Sequence, residues 1–138
     1  MQISTKFTIA IHILAAADYF GGGQKVTSDL LAKSIGCNPV VVRNIMSDLQ
    51  KAGIIETKRG TGGISITRPL EDISFYDVYG AVENNKDELF NFHSDPNPNC
   101  PVGRSIHHAL DPKLNALQRE FEDSLKRYTI ADVRKDIG

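Results

Sequence analysis

The sequence predicts a mainly helical fold with one small β-hairpin, and three observations support this fold class. Apolar residues between positions 3 and 49 recur at three- and four-residue steps, the spacing of a buried helix face. Two short β-prone runs, IIETK and ISIT, flank a glycine-rich turn at 59–63 and predict the hairpin. A last apolar stripe, from Ile106 to Tyr128, is long enough for one extended amphipathic helix.

The first helix is expected to run from Ser4, which can cap it, to Tyr19, and the sequence GGGQ at 21–24 stops it. Its apolar run, which leads into three consecutive alanines, also has features of a secretory signal peptide. However, His12 interrupts that run, and the apolar spacing suits a core helix. We therefore expect a structural helix rather than a cleaved leader.

Two further helices are expected to be joined by a short turn. The second begins after the Thr27–Ser28 cap and ends at Gly36. Asn38 caps the third, which has Pro39 at its first position, where a missing amide hydrogen does no harm, and Gly53 closes it. Such a pair forms a helix-turn-helix. Three helices followed by two strands is the order of elements in a winged helix-turn-helix DNA-binding domain.

The stretch KRGTGGISITR at 58–68 allows two interpretations, a cradle for a nucleotide phosphate or the tip of the hairpin. A phosphate loop needs its glycines between a strand and a helix, so that the amides at the helix start face the anion. Here the glycines lie between two strands. This position favours the wing of a winged helix, and a glycine hairpin that binds nothing is the alternative.

After the hairpin, the sequence predicts a short helix and then a loop. Ser74 can cap a fourth helix from Phe75 to Glu83. The polar segment 84–104 contains three prolines and is expected to be irregular.

The long apolar stripe beyond this loop contains a proline. Pro112 requires either a kink in the helix or a restart with Asp111 as the new cap. Thr129 is expected to cap a last short helix.

These elements divide the chain into three parts: a winged helix-turn-helix domain at 1–83, a linker loop at 84–104 and long dimerisation helices at 105–138. The long helix must bury its stripe somewhere. The same helix of a second copy is the favoured partner, because closed two-fold pairing is the commonest oligomeric arrangement. Packing against the chain's own first helix is the alternative.

The formal net charge of −1 hides an asymmetry. Residues 1–68 carry a net charge of +4, and the remaining residues carry −5. A basic amino-terminal half is expected where a protein meets the phosphates of double-stranded DNA. Two cysteines are too few for a disulfide framework, so a reducing, cytoplasmic setting is the default. No apolar segment reaches the length of a membrane span.

Several stretches make the chain resemble the Rrf2 family of bacterial winged-helix transcriptional regulators, which includes IscR, NsrR and CymR. They are ISTKFTIAIHILAA, VTSDLLAKSIGCNPVVVRNIMSDLQKAGIIETKRGTGGISITRP, ISFYDVYGAVE, a CPVG sequence before the long helix, and TIADV after it. The most specific part is KAGII followed by RGTGG. The likeness covers nearly the whole chain and is greatest to the YwnA-like branch. It implies a homodimer that binds a partly palindromic operator and usually represses transcription.

The sequence departs from the cluster-bearing relatives, which place three cysteines in the loop before the long helix. Only Cys100 occurs there, and position 103, where IscR-like members have a histidine, is glycine. His107 and His108 lie farther along and, as neighbours on a helix, point about 100° apart. An iron-sulfur cluster needs about four ligands, mostly thiolates. No cluster and no other metal cofactor is therefore expected.

Exposed positions near the start of the third helix are candidates for reading bases in the major groove. Arg43 can pair with guanine and Asn44 with adenine, and Val40 or Val41 can touch a thymine methyl group. The family resemblance also implies base reading at positions 40, 43 and 44. A solvated helix face without a ligand is the alternative for Arg43 and Asn44.

Residues around the predicted wing are candidates for contacts to the DNA backbone. Arg59 at the tip suits a narrow minor groove, where the negative potential is enhanced. Phosphate contacts, which position the protein without reading sequence, are expected from Lys6, Ser28, Lys58, Thr61 and Arg68.

Cys100 and Cys37 are candidates for a redox sensor. Cys100 precedes Pro101 near the start of the long helix, where the helix dipole favours a thiolate. Cys37 lies just before the third helix. A packed structural role is the alternative for each, and a small-molecule effector is an equal possibility.

Two classes of function follow from these observations. The first is a sequence-specific DNA-binding transcriptional regulator, and the second is a winged-helix adaptor whose basic half binds an acidic protein. An enzyme is not expected, because no nucleophile–base pair or metal-ligand spacing occurs.

Overall fold

The computed structural model describes residues 4–58, 63–83, 90 and 93–138. Within them the elements follow the predicted order of helices, hairpin and helices. They are α1 (Thr5–Phe20), α2 (Ser28–Ile35), α3 (Pro39–Lys51), β1 (Ile55–Thr57), β2 (Ile64–Ile66), a 3-10 turn (Leu70–Asp72), α4 (Phe75–Val82), α5 (Pro101–Lys126) and α6 (Ile130–Ile137). Within this part of the chain, no helix is long and apolar enough to cross a bilayer.

Helix α1 lies at the centre of the fold and packs against α2, α3, α4, α6 and β2. Its buried face is continuous with the buried faces of the helix-turn-helix pair, so that Leu14, Leu31 and Ile45 belong to one core. Ile130 at the start of α6 is fully buried in the same core. Helices α3 and α6 therefore pack on the same core.

Local hydrogen bonds fix the ends of α2 and α3 as predicted. The Thr27 hydroxyl accepts a hydrogen bond from the Leu30 amide at 3.2 Å, and Gly36 ends α2 with φ of 81°. This left-handed conformation favours glycine. The Asn38 side chain accepts from the Val40 amide at 2.8 Å, with Pro39 at the first helical position. The turn between the two helices is thus set by adjacent residues.

Replacing Asn38 by alanine is expected to lower the free energy of unfolding by about 0.5–2 kcal/mol, because the cap of α3 is lost. Urea denaturation of the variant and the parent protein measures this change. Asn44→Ala is the matched control: Asn44 is exposed within the same helix and caps nothing, so its removal should change stability by less than about 0.5 kcal/mol. Equal effects of the two substitutions would show that the cap is not what stabilises α3.

The hairpin pairs β1 and β2 antiparallel, with Ile55 opposite Ile66 and Thr57 opposite Ile64. The Lys58 amide donates to the Gly63 carbonyl at 2.8 Å, which extends the pairing towards the tip. The Ile64 amide donates to the Val26 carbonyl at 3.0 Å. The hairpin is therefore attached to the segment that leads into α2. Residues 59–62, at its tip, lie outside the described part of the chain.

The prediction that Ser4 caps α1 is wrong. No side-chain cap is formed there. Instead, the Ser4 hydroxyl and the Ser4 amide donate to the Glu83 carboxylate at 3.0 and 3.2 Å. A charged acceptor makes stronger hydrogen bonds than a neutral one. The start of α1 is consequently fastened to the end of α4.

The long helix differs from the prediction at its start. Helix α5 begins at Pro101 rather than at residue 105, since proline is well suited to the first helical position. It also continues through Pro112 without a restart at Asp111, which leaves a kink as the remaining alternative of the two that were predicted. Pro112 cannot donate a backbone hydrogen bond. The carbonyl that loses its helical donor is that of His108. In the same turn, the Lys113 ammonium donates to the neighbouring Ala109 carbonyl at 3.1 Å.

The carboxyl-terminal third of α5 packs mainly against α4, whereas the alternative interpretation placed it against α1. The rings of Phe121 and Tyr79 meet edge to face with centroids 5.7 Å apart, and Leu125 is buried. The short helix α6 then returns to α1, where the Arg134 guanidinium donates to the Asp18 carboxylate at 2.9 Å.

The starts of α4 and α6 lie side by side. The Phe75 amide donates to the Tyr128 carbonyl at 2.8 Å, and the Ile130 amide donates to the Ile73 carbonyl at 2.9 Å. Both helices begin with a capping box, formed by Ser74 with Asp77 and by Thr129 with Asp132. The end of α5 is therefore joined to the winged domain by backbone hydrogen bonds.

Candidate nucleic-acid interface

The amino-terminal half of α3 presents a solvent-facing surface opposite its buried stripe. Val42, Ile45 and Leu49 are buried, whereas Val40 and Val41 are 51% and 40% exposed. The side chains of Val40 and Val41 therefore take no part in the core and face the solvent. Such apolar contacts suit the methyl group of thymine.

Arg43 and Asn44 are also exposed on this surface. Among the described residues, no hydrogen bond or ion pair engages either side chain. Their donors and acceptors are therefore available to base edges. The four residues predicted to read DNA, Val40, Val41, Arg43 and Asn44, lie on consecutive turns of one accessible helix end, as major-groove recognition requires.

The residues predicted to contact phosphates do not all lie together. Lys58 and Arg68 are exposed and line one cleft of about 460 Å³ at the base of the hairpin, which we call the wing-root cleft. Ser28 is half-buried at the first position of α2, two residues after Val26, which lines the same cleft. Lys6 is exposed in the first turn of α1, about 20 Å of helix away from the wing root. Arg59 and Thr61 lie outside the described residues.

Lys25 also lines the wing-root cleft, and the sequence interpretation missed it. It occurs in the irregular stretch GGGQKVTS, where no periodicity marks a functional face. Only the folded arrangement places it beside the hairpin.

The two cysteines occupy different environments, and both are free thiols. Cys37 is half-buried at the turn between α2 and α3, and its amide donates to the Ala32 carbonyl at 3.2 Å. Cys100 immediately precedes α5. Hydrogen bonds from the backbone amide of Gly103, and then from that of Val102, lower the pKa of the Cys100 thiol below its usual value, against a small opposing effect of desolvation.

The lowered pKa of Cys100 predicts faster alkylation at neutral pH than for an ordinary thiol. In a Cys37→Ser variant, the rate of reaction with iodoacetamide should rise with pH and reach half its maximum at a lower pH than for free cysteine in the same buffer. The midpoint shifts to lower pH because the hydrogen bonds stabilise the thiolate, which therefore stays deprotonated at a lower pH. Mass spectrometry of quenched samples across pH 5 to 10 measures it, and a midpoint at or above that of free cysteine would contradict the prediction.

The donor groups near Cys100 do not form a ligand set for an iron-sulfur cluster. The His107 side chain is hydrogen-bonded to the His93 carbonyl at 3.0 Å, and the position that follows Cys100 by three residues is glycine. Within the described ranges, no group of three or more histidine, cysteine, aspartate or glutamate residues is arranged to hold a metal ion. One thiolate does not provide the roughly four ligands that a cluster needs.

The fold and this surface define a winged helix-turn-helix protein of the transcription-regulator class. A family model described as an iron-dependent transcriptional regulator, Rrf2, matches residues 3–136. The chain belongs to the Rrf2 family. The resemblance inferred from the sequence is thereby confirmed.

Individual relatives agree with this assignment. The chain is 40% identical over 132 residues to YwnA of Bacillus subtilis (strain 168), provisionally named an HTH-type transcriptional regulator, and the match covers 96% of each protein. A crystal structure of a provisionally assigned DNA-binding protein is 36% identical, with a TM-score of 0.74, over 93% of this chain and 97% of that one. CymR, the global cysteine regulator of B. subtilis, has the same fold, with a TM-score of 0.70 at 17% identity over 98% and 97% of the two chains.

Proposed function

We propose that this protein is a sequence-specific DNA-binding regulator of transcription that acts as a homodimeric repressor on a partly palindromic operator. The observation that carries the proposal is the exposed end of α3, where Arg43 and Asn44 have no partner among the described residues. A helix end with a guanidinium, an amide and two exposed valines can read guanine, adenine and thymine. Arg59, Lys6, Ser28, Lys58, Thr61 and Arg68 would contact the backbone or the minor groove.

The apolar face of α5 supports the homodimer. In the first two-thirds of α5, no described element buries the apolar stripe. Leu117 is 47% exposed, and Ile106, Leu110 and Leu114 are only half-buried. These four side chains lie within about 80° of one another around the helix. A second copy of the same face would cover them by two-fold pairing. Each subunit would then place one α3 in one half of the operator.

We propose that the protein works without an iron-sulfur cluster and in the cytoplasm. Cys100 is the only cysteine in the loop before α5, which supports the absence of a cluster. The cytoplasmic location is supported by the family, whose members are transcriptional regulators. A repressor of this kind would act by occupying its operator, and a change at a cysteine or a bound small molecule would release it.

Selection of genomic DNA fragments on the purified protein, followed by footprinting of the enriched site, tests this function. We expect a two-fold symmetric footprint and binding that weakens steeply as the salt concentration rises. Absence of any salt-sensitive binding to duplex DNA, with capture of an acidic protein instead, would favour the adaptor and reject the regulator.

A further inference from the structure

We propose that the wing-root cleft binds a phosphate group of the DNA backbone, and that Lys25 is its principal cation. The inference rests on the proposed function and adds a contact that lies outside the surface of α3. Lys25, Lys58 and Arg68 all line the cleft, together with one acidic residue, Asp18. The glycines in its walls leave backbone accessible to a ligand.

The position of Lys25 is set by the hairpin. The hydrogen bond from the Ile64 amide to the Val26 carbonyl holds the segment beside β2. The Lys25 side chain lies against Gly63. If residue 63 had a Cβ atom, that atom would lie only 2.9 Å from the Lys25 Cγ. Real Cβ atoms essentially never approach so closely, so the glycine makes room for the lysine stem. Lys25 is consequently packed against the wing rather than extended freely from a loop.

Two of the cations that line the cleft, Lys25 and Arg68, are not neutralised by any described residue. Asp18 already accepts from the Arg134 guanidinium at 2.9 Å. In the described part of the chain, no hydrogen bond or ion pair engages the side chains of Lys25 or Arg68. Cations gathered around one engaged carboxylate repel one another, and an anion relieves this repulsion. The cleft is therefore suited to a negatively charged ligand.

The position of the cleft favours a phosphodiester over a free anion. Lys25 lies three residues before Ser28, the first residue of α2, and the amino-terminal end of a helix carries partial positive charge. The hairpin that bears Lys58 follows α3 directly, and the Thr57 hydroxyl is hydrogen-bonded to the Gln50 side chain of α3 at 3.1 Å. A duplex seated on α3 would bring its backbone past the wing. A contact there adds affinity without reading sequence.

A Lys25→Ala variant of the full chain tests the proposal. Binding to the operator and to an unrelated duplex is measured by fluorescence anisotropy at several salt concentrations. Each lost phosphate contact lowers the slope of log K against log salt by about 0.9, so two per dimer lower it by about 1.8. The dissociation constant should rise by roughly twofold to thirtyfold on both duplexes. Lys25→Arg should restore binding, and Lys135→Ala, which removes an exposed lysine from α6, is the matched control.

The outcomes separate this inference from the proposed function. If the wild-type protein binds its operator but Lys25→Ala leaves the salt slope unchanged, the cleft is not a phosphate contact and the regulator stands. If the wild-type protein binds no duplex, the proposed function fails and the inference fails with it. Titration with inorganic pyrophosphate, without DNA, is the third arm. The proposal would be overturned if the wild-type protein binds pyrophosphate, Lys25→Ala does not, and the salt slope of DNA binding is the same for both proteins. The cleft would then be a site for free anions.

Lys25 is exposed, so the variant is expected to fold, and its circular dichroism and melting temperature establish this. If alanine disturbs the packing over Gly63, Lys25→Gln retains most of the stem and removes only the charge. An unchanged salt slope in a folded Lys25→Gln protein would equally overturn the proposal.

Discussion

Replacing Arg43 by alanine is expected to relax the preference for one base pair in each half of the operator. The Arg43 side chain is exposed on the turn of α3 that also bears Asn44, and buried Val42 and Ile45 hold that turn against the core. A bidentate pair between arginine and guanine contributes about 1–3 kcal/mol of discrimination. The variant should therefore bind the operator and an operator altered at that base pair almost equally. Dissociation constants on a set of single-position operator variants measure this.

Arg119→Ala is the matched control for Arg43→Ala. It removes the same charge from an exposed position of α5, on the side of the helix opposite the apolar stripe. It should leave every operator preference unchanged. If Arg43→Ala instead weakened binding to all duplexes by the same factor, Arg43 would be a phosphate contact, and the base-reading assignment would be wrong.

If the proposed dimer pairs through α5, a Leu110→Glu and Leu117→Glu double variant should consist of single subunits. The two positions are two helical turns apart on the same face of α5, and two buried carboxylates would be too costly at a paired apolar surface. Light scattering should then give the mass of one 15.2 kDa chain rather than twice that mass. Loss of two-site binding should weaken operator affinity by about 10²- to 10⁴-fold.

Asn115→Glu controls for the added charge, because Asn115 is exposed on the far side of α5 from the stripe. This variant should remain dimeric and bind the operator as the parent does. A double variant at Leu110 and Leu117 that is folded and still dimeric would place the subunit interface elsewhere.

The features that the sequence predicted correctly depend on neighbouring residues. The caps of α2, α3, α4 and α6 are set by Thr27, Asn38, Ser74 and Thr129, each bonded to an amide two or three residues away. Local chemistry of this kind can be recognised without knowledge of the fold. The buried stripe of α3 likewise leaves its other face exposed, so the exposure of Val40, Val41, Arg43 and Asn44 could be predicted from periodicity alone.

The features that were missed depend on residues distant in sequence. Ser4 was expected to cap α1, but its hydroxyl bonds to Glu83, which is 79 positions away. Lys25 acquires its surroundings only where the segment before α2, the end of α1 and the hairpin meet. Contacts between such distant residues cannot be recognised from a pattern in the sequence.

The backbone bonds between Phe75 and Tyr128 and between Ile130 and Ile73 have a consequence for the choice of operator. These bonds connect the end of α5 to the winged domain of the same subunit. In the proposed dimer, the two α3 helices would therefore not move independently of each other. One inserted base pair between the half-sites turns one of them by about a tenth of a revolution around the duplex axis. Helices connected in this way cannot follow that rotation. The proposed dimer would therefore discriminate between operators by the length of the spacer as well as by their bases.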